Sequence, residues 1–517
     1  MCYIKYLFYL LVLSSFLSCD SIPDNVQYAL SKAGKNRDEL EKVIDYYKKS
    51  NEPEKLKAAY YVLAGLPDQY YYTGSLVDSY RGQFKKMDSI VRTGKIINYK
   101  ETWDSLELPL RENNQLKLRK IKDIEVIKSE YLINNIEEAF QTWKLPWAKD
   151  LNFDMFCEYI LPYKVANEEP MYWRQYFRRR YAWAIDSLKG DNDQIKLIKL
   201  INEDLSKWFY HTNNLNASFD LSYKDLLQVK LGACKHEVEI TTYAMRALGL
   251  PIALDGVPLW PNRNSRHDWN AFFSPNQTIP FQGTELNPGN YKMEVAWPGA
   301  IKSKRAKIYR TTYLYQENCL AAIETNQEII PAIFRNTHYR DVTREYIPVS
   351  NVTSKLNLDS KGFKIIYLCV FNRLKWGPLD WARNKRGEAM FKNLGRDIVY
   401  LPMIFEENNY YPAGNAFILK IDGSVVLLKP NFEHLINVTL DKKYPQGYDY
   451  ETKIFKGKKY ELFYWDDEWK SLGKKEATTN FISFKKVPSG ALLWLRCLNG
   501  GYSERIFTYD KSGIEWW

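Results

Sequence analysis

Apolar residues fall three and four positions apart through the first third of the chain. After residue 309 they shift to short runs and alternations, so the order predicts helices first and strands later. Within 38–49, Leu40, Val43, Ile44 and Tyr47 share one helical face. Pro53 suits the opening turn of the next helix, whose face carries Leu56, Ala59, Tyr60 and Leu63. The stretch 124–143 repeats the pattern, and residues 19–145 are expected to form a helical domain. Its run Tyr70-Tyr71-Tyr72 suits a core or an interface better than a ligand box. The periodicity breaks around Trp143-Lys144-Leu145-Pro146-Trp147. Helices over 153–162 and 173–188 then lead into a core expected at 146–305, with Cys157 lining or supporting its cleft. Strand texture at 352–358, 363–371, 398–401, 416–419 and 425–428, punctuated by Asp422-Gly423, predicts a β-sandwich-like domain over 306–440. Further strands at 460–465, 491–495 and 506–509 predict a C-terminal β domain over 441–517. The expected class is multidomain α+β: a helical region, an α+β core and β modules.

The densest chemistry lies in the core. Ile240, Tyr243, Ala244, Ala247 and Leu248 recur at helical spacing after Leu231-Gly232-Ala233-Cys234, and Gly249 and Pro251 end the helix. Cys234 therefore sits in a first turn, where free backbone N–H groups and the helix dipole favour a thiolate. Gly232 would let the backbone approach a ligand closely. Downstream, Arg266-His267-Asp268-Trp269-Asn270 opens a strand with His267, Trp269, Ala271 and Phe273 on one face. A turn over 274–278 and a short return strand at 279–281 follow. Glu285, or alternatively Asn287, could then reach the imidazole and fix its tautomer. Thiol, imidazole and carboxylate in this order are the parts of an acyl-transfer site.

These residues resemble the transglutaminase-like superfamily, whose cores are related to papain-type thiol proteases. The resemblance rests on the helix-opening G-x-C, on R-x-L-G-L-P from Arg246 to Pro251, and on H-x-W-N from His267, and covers roughly 150–300. It implies Cys234 as nucleophile and His267 as general base. The family's third member, an Asp before Pro, is replaced here by Glu285-Leu286-Asn287-Pro288, so both Glu285 and Asn287 stand as candidates. It further implies attack on peptide or side-chain amides, with hydrolysis favoured over cross-linking, and a chemistry that needs no cofactor and no metal.

Neighbouring residues carry plainer roles. A Cys on an apolar helix is commonly a small core residue. His236 is expected to face solvent, Asp268 to point away from His267, and Gln228 to be an ordinary surface residue, leaving the Cys234 backbone N–H as oxyanion donor. The loop Trp260-Pro261-Asn262-Arg263-Asn264 suits a substrate rim or a plain connector.

The N-terminus changes the expected compartment. Lys5, an apolar run over 6–13, and Phe16-Leu17-Ser18-Cys19 have the form of an export signal, residues 1–18, ending in a bacterial lipobox. Lipidation of Cys19 would anchor the chain at the cell envelope. Besides Cys2 and Cys19, the seven Cys include five scattered ones without metal-ligand spacing. The net charge of +11 is small beside 73 basic and 62 acidic residues, and the charges are interspersed. The runs at 178–180 and 302–310 suit solvated faces or linkers, and nucleic-acid binding is not indicated. The expected partners are a protein or peptide substrate, a glycoprotein or glycan, and a membrane reached through the lipid. An inactive envelope protein that captures glycan or protein is the alternative, with Trp376, Trp381, Trp465 and Trp469 as sugar-stacking candidates and core packing the plainer role for most of them.

Overall fold

The computed structural model describes residues 21–94, 98–274, 277–291, 302–357, 360, 362–445, 452–498 and 504–517. Residues 1–18, where an export signal is expected, Cys19 and the turn residues Pro275 and Asn276 lie outside these. Among the described residues no helix is long and apolar enough to cross a membrane.

Helices α1 (Asp24–Lys32), α2 (Arg37–Ser50) and α3 (Pro53–Ala64) build the first core. A hairpin-like pair, β1 (Tyr70–Thr73) with β2 (Arg119–Lys122), brackets α4 (Ser75–Arg92) and α5 (Tyr99–Glu112). Next come α6 (Ser129–Trp143) and α7 (Phe153–Tyr159). Leu40, Val43, Ile44 and Tyr47 of α2 are buried as their spacing requires, and Cys157 is buried among them. The tyrosines of β1 are half-buried, with Tyr70 and Tyr72 edge to face.

A second core takes α4 and α5 away from the first. It joins Val77, Phe84 and Trp103 to α8 (Arg174–Arg180), α9 (Ala182–Asp186), α10 (Gln194–Leu205) and α11 (Tyr223–Val229). Short parallel strands β3 (Tyr210–His211) and β4 (Leu231–Gly232) lead into α12 (Cys234–Arg246). Helix α12 ends as its sequence predicts. Leu250 N–H bonds to Met245 O, Gly249 N–H to Arg246 O, and Gly249 has the left-handed φ of 76°.

Helix α12 packs on a five-stranded antiparallel sheet of order β7-β6-β5-β8-β9: β5 (Ile252–Val257), β6 (His267–Ser274), β7 (Gln277–Phe281), β8 (Tyr309–Thr311) and β9 (Tyr339–Asp341). The sheet thus runs past residue 305, the limit expected for this core. Asp255 of β5 and Arg310 of β8 close this extension with a bidentate pair at 2.8 and 2.7 Å, both residues 1% exposed.

The remaining strands form two units. β10 (Val349–Lys355), β11 (Ile365–Asn372), β12 (Lys375–Lys385), β13 (Glu388–Gly395), β14 (Ile398–Glu406), β15 (Asn409–Pro412), β16 (Phe417–Leu419) and β17 (Val425–Leu427) make one antiparallel sheet. One face of it encloses its own core of Ile366, Leu368, Leu379, Phe391 and Tyr400. β18 (Asn431–Leu440), β19 (Lys459–Asp466), β20 (Glu468–Glu476), β21 (Ile482–Ser489), β22 (Leu493–Cys497), β23 (Ile506–Asp510) and β24 (Gly513–Trp516) make the last unit. The two units meet at a tryptophan hub. Trp376, Trp465, Trp469 and Trp494 gather around Phe371, with ring centroids 5.0–6.5 Å apart. Three of the four sugar-stacking candidates are therefore packing residues. Trp381 lines an open groove of about 940 Å³ between β9 and β12, and Trp465 also borders a smaller one of about 200 Å³. The fold is multidomain α+β.

Removing Asp255 leaves Arg310 charged and buried without its main partner. Asp255→Ala should lower the stability of the unfolding transition containing this sheet by about 3–5 kcal/mol. Arg37→Ala, which breaks an exposed ion pair with Glu41, should cost no more than about 1 kcal/mol. Urea denaturation of both variants checks the contrast.

Candidate active site

Every residue of α12 from His236 to Arg246 is buried, and Cys234 lies at the half-exposed start of that helix. Two local features hold the start in place. A Cβ on Gly232 would come within 2.5 Å of the His236 Cβ, so glycine is required by the packing of His236 rather than by an approaching ligand. His236 itself is buried, against the expectation that it faces solvent. Its Nδ1 accepts the Ala233 N–H at 3.2 Å, and burial pushes its pKa down to about 3. The far end of the helix is tied to β5 by Arg246, which donates to Ile252 O at 2.9 Å.

Strand β6 meets α12 edge-on. Asn270 donates to Val238 O and to Thr242 Oγ1 at 3.1 and 3.0 Å. Two residues earlier on the same face, Asp268 accepts from the Cys234 thiol at 3.8 Å, and its backbone also bonds the sulfur. Strand alternation then sends His267 and Trp269 to the other face. There Trp269 is buried with Val257, Trp260 and Ile308, and the His267 ring lies 6.1 Å from those of Trp260 and Trp269. β7 pairs with β6 only from Asn270 onward, so among the described residues no strand pairs with β6 at 267–269 on that side. Tyr291 occupies this gap. Its hydroxyl is 3.0 Å from His267 Nε2, and its ionisation is opposed by burial and by Cys234, Glu285 and Asp268.

The structure therefore brings Cys234 and His267 to one strand edge without a direct hydrogen bond between them among the described residues. Asp268 faces the thiol, and Tyr291 faces the imidazole. Burial and the Asp268 carboxylate push the Cys234 thiol up to about 12. Burial pushes His267 down to about 4, with Asp268 acting in the opposite direction. At neutral pH the pair is a thiol and a neutral imidazole, not the thiolate expected from a helix start.

Among the described residues neither Glu285 nor Asn287 makes a hydrogen bond to His267, whose Nε2 faces Tyr291. Glu285 lies 3.6 Å from His211 Nδ1. Asn287 accepts from Asn202 and donates to Glu203, both at 3.0 Å. The tight return after β7 causes this. Glu285 N–H and Leu286 N–H both bond Gln282 O, Thr284 N–H bonds Asn202, and Thr284 takes a positive φ of 65°. The turn delivers Glu285 toward β3 rather than toward the face of β6 that carries His267. Gln228 is half-buried at the end of α11.

Four residues of the region went unforeseen. Asp268 points away from His267, as strand alternation requires, but its contact with the Cys234 thiol has no sequence signal. His211 lies on a two-residue strand that no periodicity reveals. Glu237 has an ordinary helical position. Tyr291 follows an irregular loop. The scarcity of histidine, five in 517 residues, was the available signal for His211.

The loop before β6 is no free rim. Asn372 donates to Trp260 O, Arg263 O and Ser265 O at 2.9, 2.8 and 3.0 Å. Arg505 donates to Asn264 Oδ1 at 3.0 Å, to Phe371 O at 2.7 Å and to Pro261 O. Both β units thus hold the approach to His267.

No family model matches the chain, and no curated protein matches it. Among solved structures it is similar to a protein from Cytophaga hutchinsonii provisionally named a cysteine protease. The identity is 18% over 28% of this chain and 46% of that one, with a TM-score of 0.21. It is also similar to red sea bream transglutaminase, at 9% identity over 74% of this chain and 73% of that one, with a TM-score of 0.20. This chain thus matches less than half the length of the Cytophaga protein.

Because Asp268 raises the thiol pKa, Asp268→Asn should shift the midpoint of Cys234 alkylation below about 12. Iodoacetamide labelling against pH, with the site read by mass spectrometry, checks this. His267 should stay in its neutral form from pH 5 to 8, above its depressed pKa of about 4, as read from imidazole NMR shifts.

Proposed function

We propose that the chain is a cysteine-dependent acyl-transfer enzyme of the transglutaminase-like kind, acting on peptide or side-chain amides with water as the favoured acceptor. The observation that carries this reading is the meeting of the α12 start with the edge of β6. There a partly exposed thiol touches the residue next to His267, and one hydroxyl, Tyr291, contacts the imidazole and shares the surroundings of the sulfur.

A substrate amide entering at this edge displaces Tyr291 and frees His267 Nε2. The neutral imidazole, turning round the strand edge into the space Tyr291 leaves, takes the thiol proton as sulfur attacks the carbonyl carbon, and the Cys234 N–H stabilises the oxyanion. The C–N bond breaks as His267 returns the proton to the leaving amine. Water, activated by the same imidazole, then cleaves the thioester and regenerates the thiol. His267 does not need a carboxylate partner to begin this sequence, because burial already supplies its unprotonated form. We also propose that export and lipidation at Cys19 place this activity at the bacterial cell envelope.

Incubation with a peptide library, and trapping of the thioester by mass spectrometry, tests the chemistry. Cys234→Ala should abolish product and adduct together, and His267→Ala should lower turnover at least about 100-fold. Equal product release by wild type and both variants defeats the reading.

A further inference from the structure

Near the thiol, three ligand-bearing residues from three separate elements converge. His211 ends β3, Glu237 stands one turn into α12, and Glu285 comes from the turn after β7. His211 Nδ1 lies 3.0 Å from Glu237 Oε1 and 3.6 Å from Glu285 Oε1, and one donor atom from each residue lies within 4.8 Å of the others. Two ligands of one first-row ion at bonds of about 2.0–2.2 Å stand roughly 3–4.4 Å apart. The cluster needs little adjustment to close on such an ion.

From these residues we infer that His211, Glu237 and Glu285 form a binding site for a divalent first-row cation of the Mn²⁺ or Zn²⁺ class. The donor set argues for that class, because one imidazole with two carboxylates suits Zn²⁺ and Mn²⁺ better than an all-oxygen site would. Burial argues for an open coordination sphere. Glu237 is 1% exposed, whereas the His211 and Glu285 side chains are 41% and 43% exposed, so one side is sealed and the other faces water. Charge balance argues for a cation. Two carboxylates share a single imidazole.

An independent feature points the same way. Gln282 is 1% exposed and donates its Nε2 to Glu237 Oε2 at 3.2 Å, which fixes that carboxylate from behind. The oxygen of the same amide, Oε1, is buried and has no hydrogen-bond partner among the described residues. A buried amide oxygen left without a donor costs free energy, and a bound cation or its water would satisfy it.

The consequence for Cys234 rests on the acyl-transfer reading; the binding itself does not. Glu237 adds to the burial and Asp268 charge that hold the thiol protonated. A cation held on Glu237 reverses that contribution and lowers the thiol pKa.

Titration of the full chain with Mn²⁺ tests the site, since thiols compete poorly for this ion. Mn²⁺ electron paramagnetic resonance and equilibrium dialysis should show one saturable equivalent. Affinity should fall at least about 10-fold in His211→Ala and in Glu285→Gln, and stay unchanged in Cys234→Ala. Glu285→Gln, a conservative change at a half-exposed position, should keep the metal-free melting temperature and lose the rise that Mn²⁺ gives the wild type. Zn²⁺ should displace the bound Mn²⁺. Absence of saturable binding, or binding untouched by His211→Ala and Glu285→Gln, overturns the proposal. So does loss of binding in Cys234→Ala. Saturable binding without any amide cleavage defeats the enzymatic reading alone.

Discussion

The structure around the candidate site depends on one buried helix. Helix α12 is enclosed from His236 onward by α8, α10 and α11 on one side and by β5 and β6 on the other. A polar helix interior in such surroundings is costly unless each group finds a partner. Arg246 finds a backbone carbonyl, Tyr243 finds Glu168, and Glu237 finds His211 and Gln282. Glu239 has no hydrogen-bond partner among the described residues; burial raises its pKa, while Lys235 Nζ, 3.6 Å away, acts in the opposite direction. Only the first turn escapes enclosure. The thiol is therefore displayed at a fixed point while everything behind it is immobilised.

That enclosure also sets the protonation of the site. The helix start favours a thiolate, yet burial and the Asp268 carboxylate outweigh it at Cys234. On the opposite face of β6, the same desolvation keeps the imidazole unprotonated. The pair resembles a serine–histidine couple in charge state more than a thiolate–imidazolium ion pair. Tyr291 contacts the imidazole at the strand edge and feels the charge of the sulfur.

The sequence was informative where regular spacing decides structure. The buried faces of α2 and α12, the Gly249 terminus and the strand beginning at His267 all follow from local rules that packing does not override. It was silent where long-range register decides. Alternation on β6 puts His267 and Asp268 on opposite faces, but only the docking of α12 determines which face meets the thiol. The same applies to Glu285. Its aim is set by a strained turn at Thr284 and by Asn202 on a distant helix, neither of which has a periodic signature. The extension of the sheet through β8 and β9 was hidden for a similar reason, since three-residue strands leave almost no alternation to count.

The hydrogen bonds from Asn372 and Arg505 to the loop preceding His267 order events in time as well as in space. A ribosome releases the thiol helix long before it releases either of those side chains, and domains close as they emerge. The segments up to β7 can collapse around α12, yet the histidine strand waits with an unclamped lead-in until Asn372 and Arg505 have emerged. The approach to the candidate site is therefore completed late, after the β units have formed beside it.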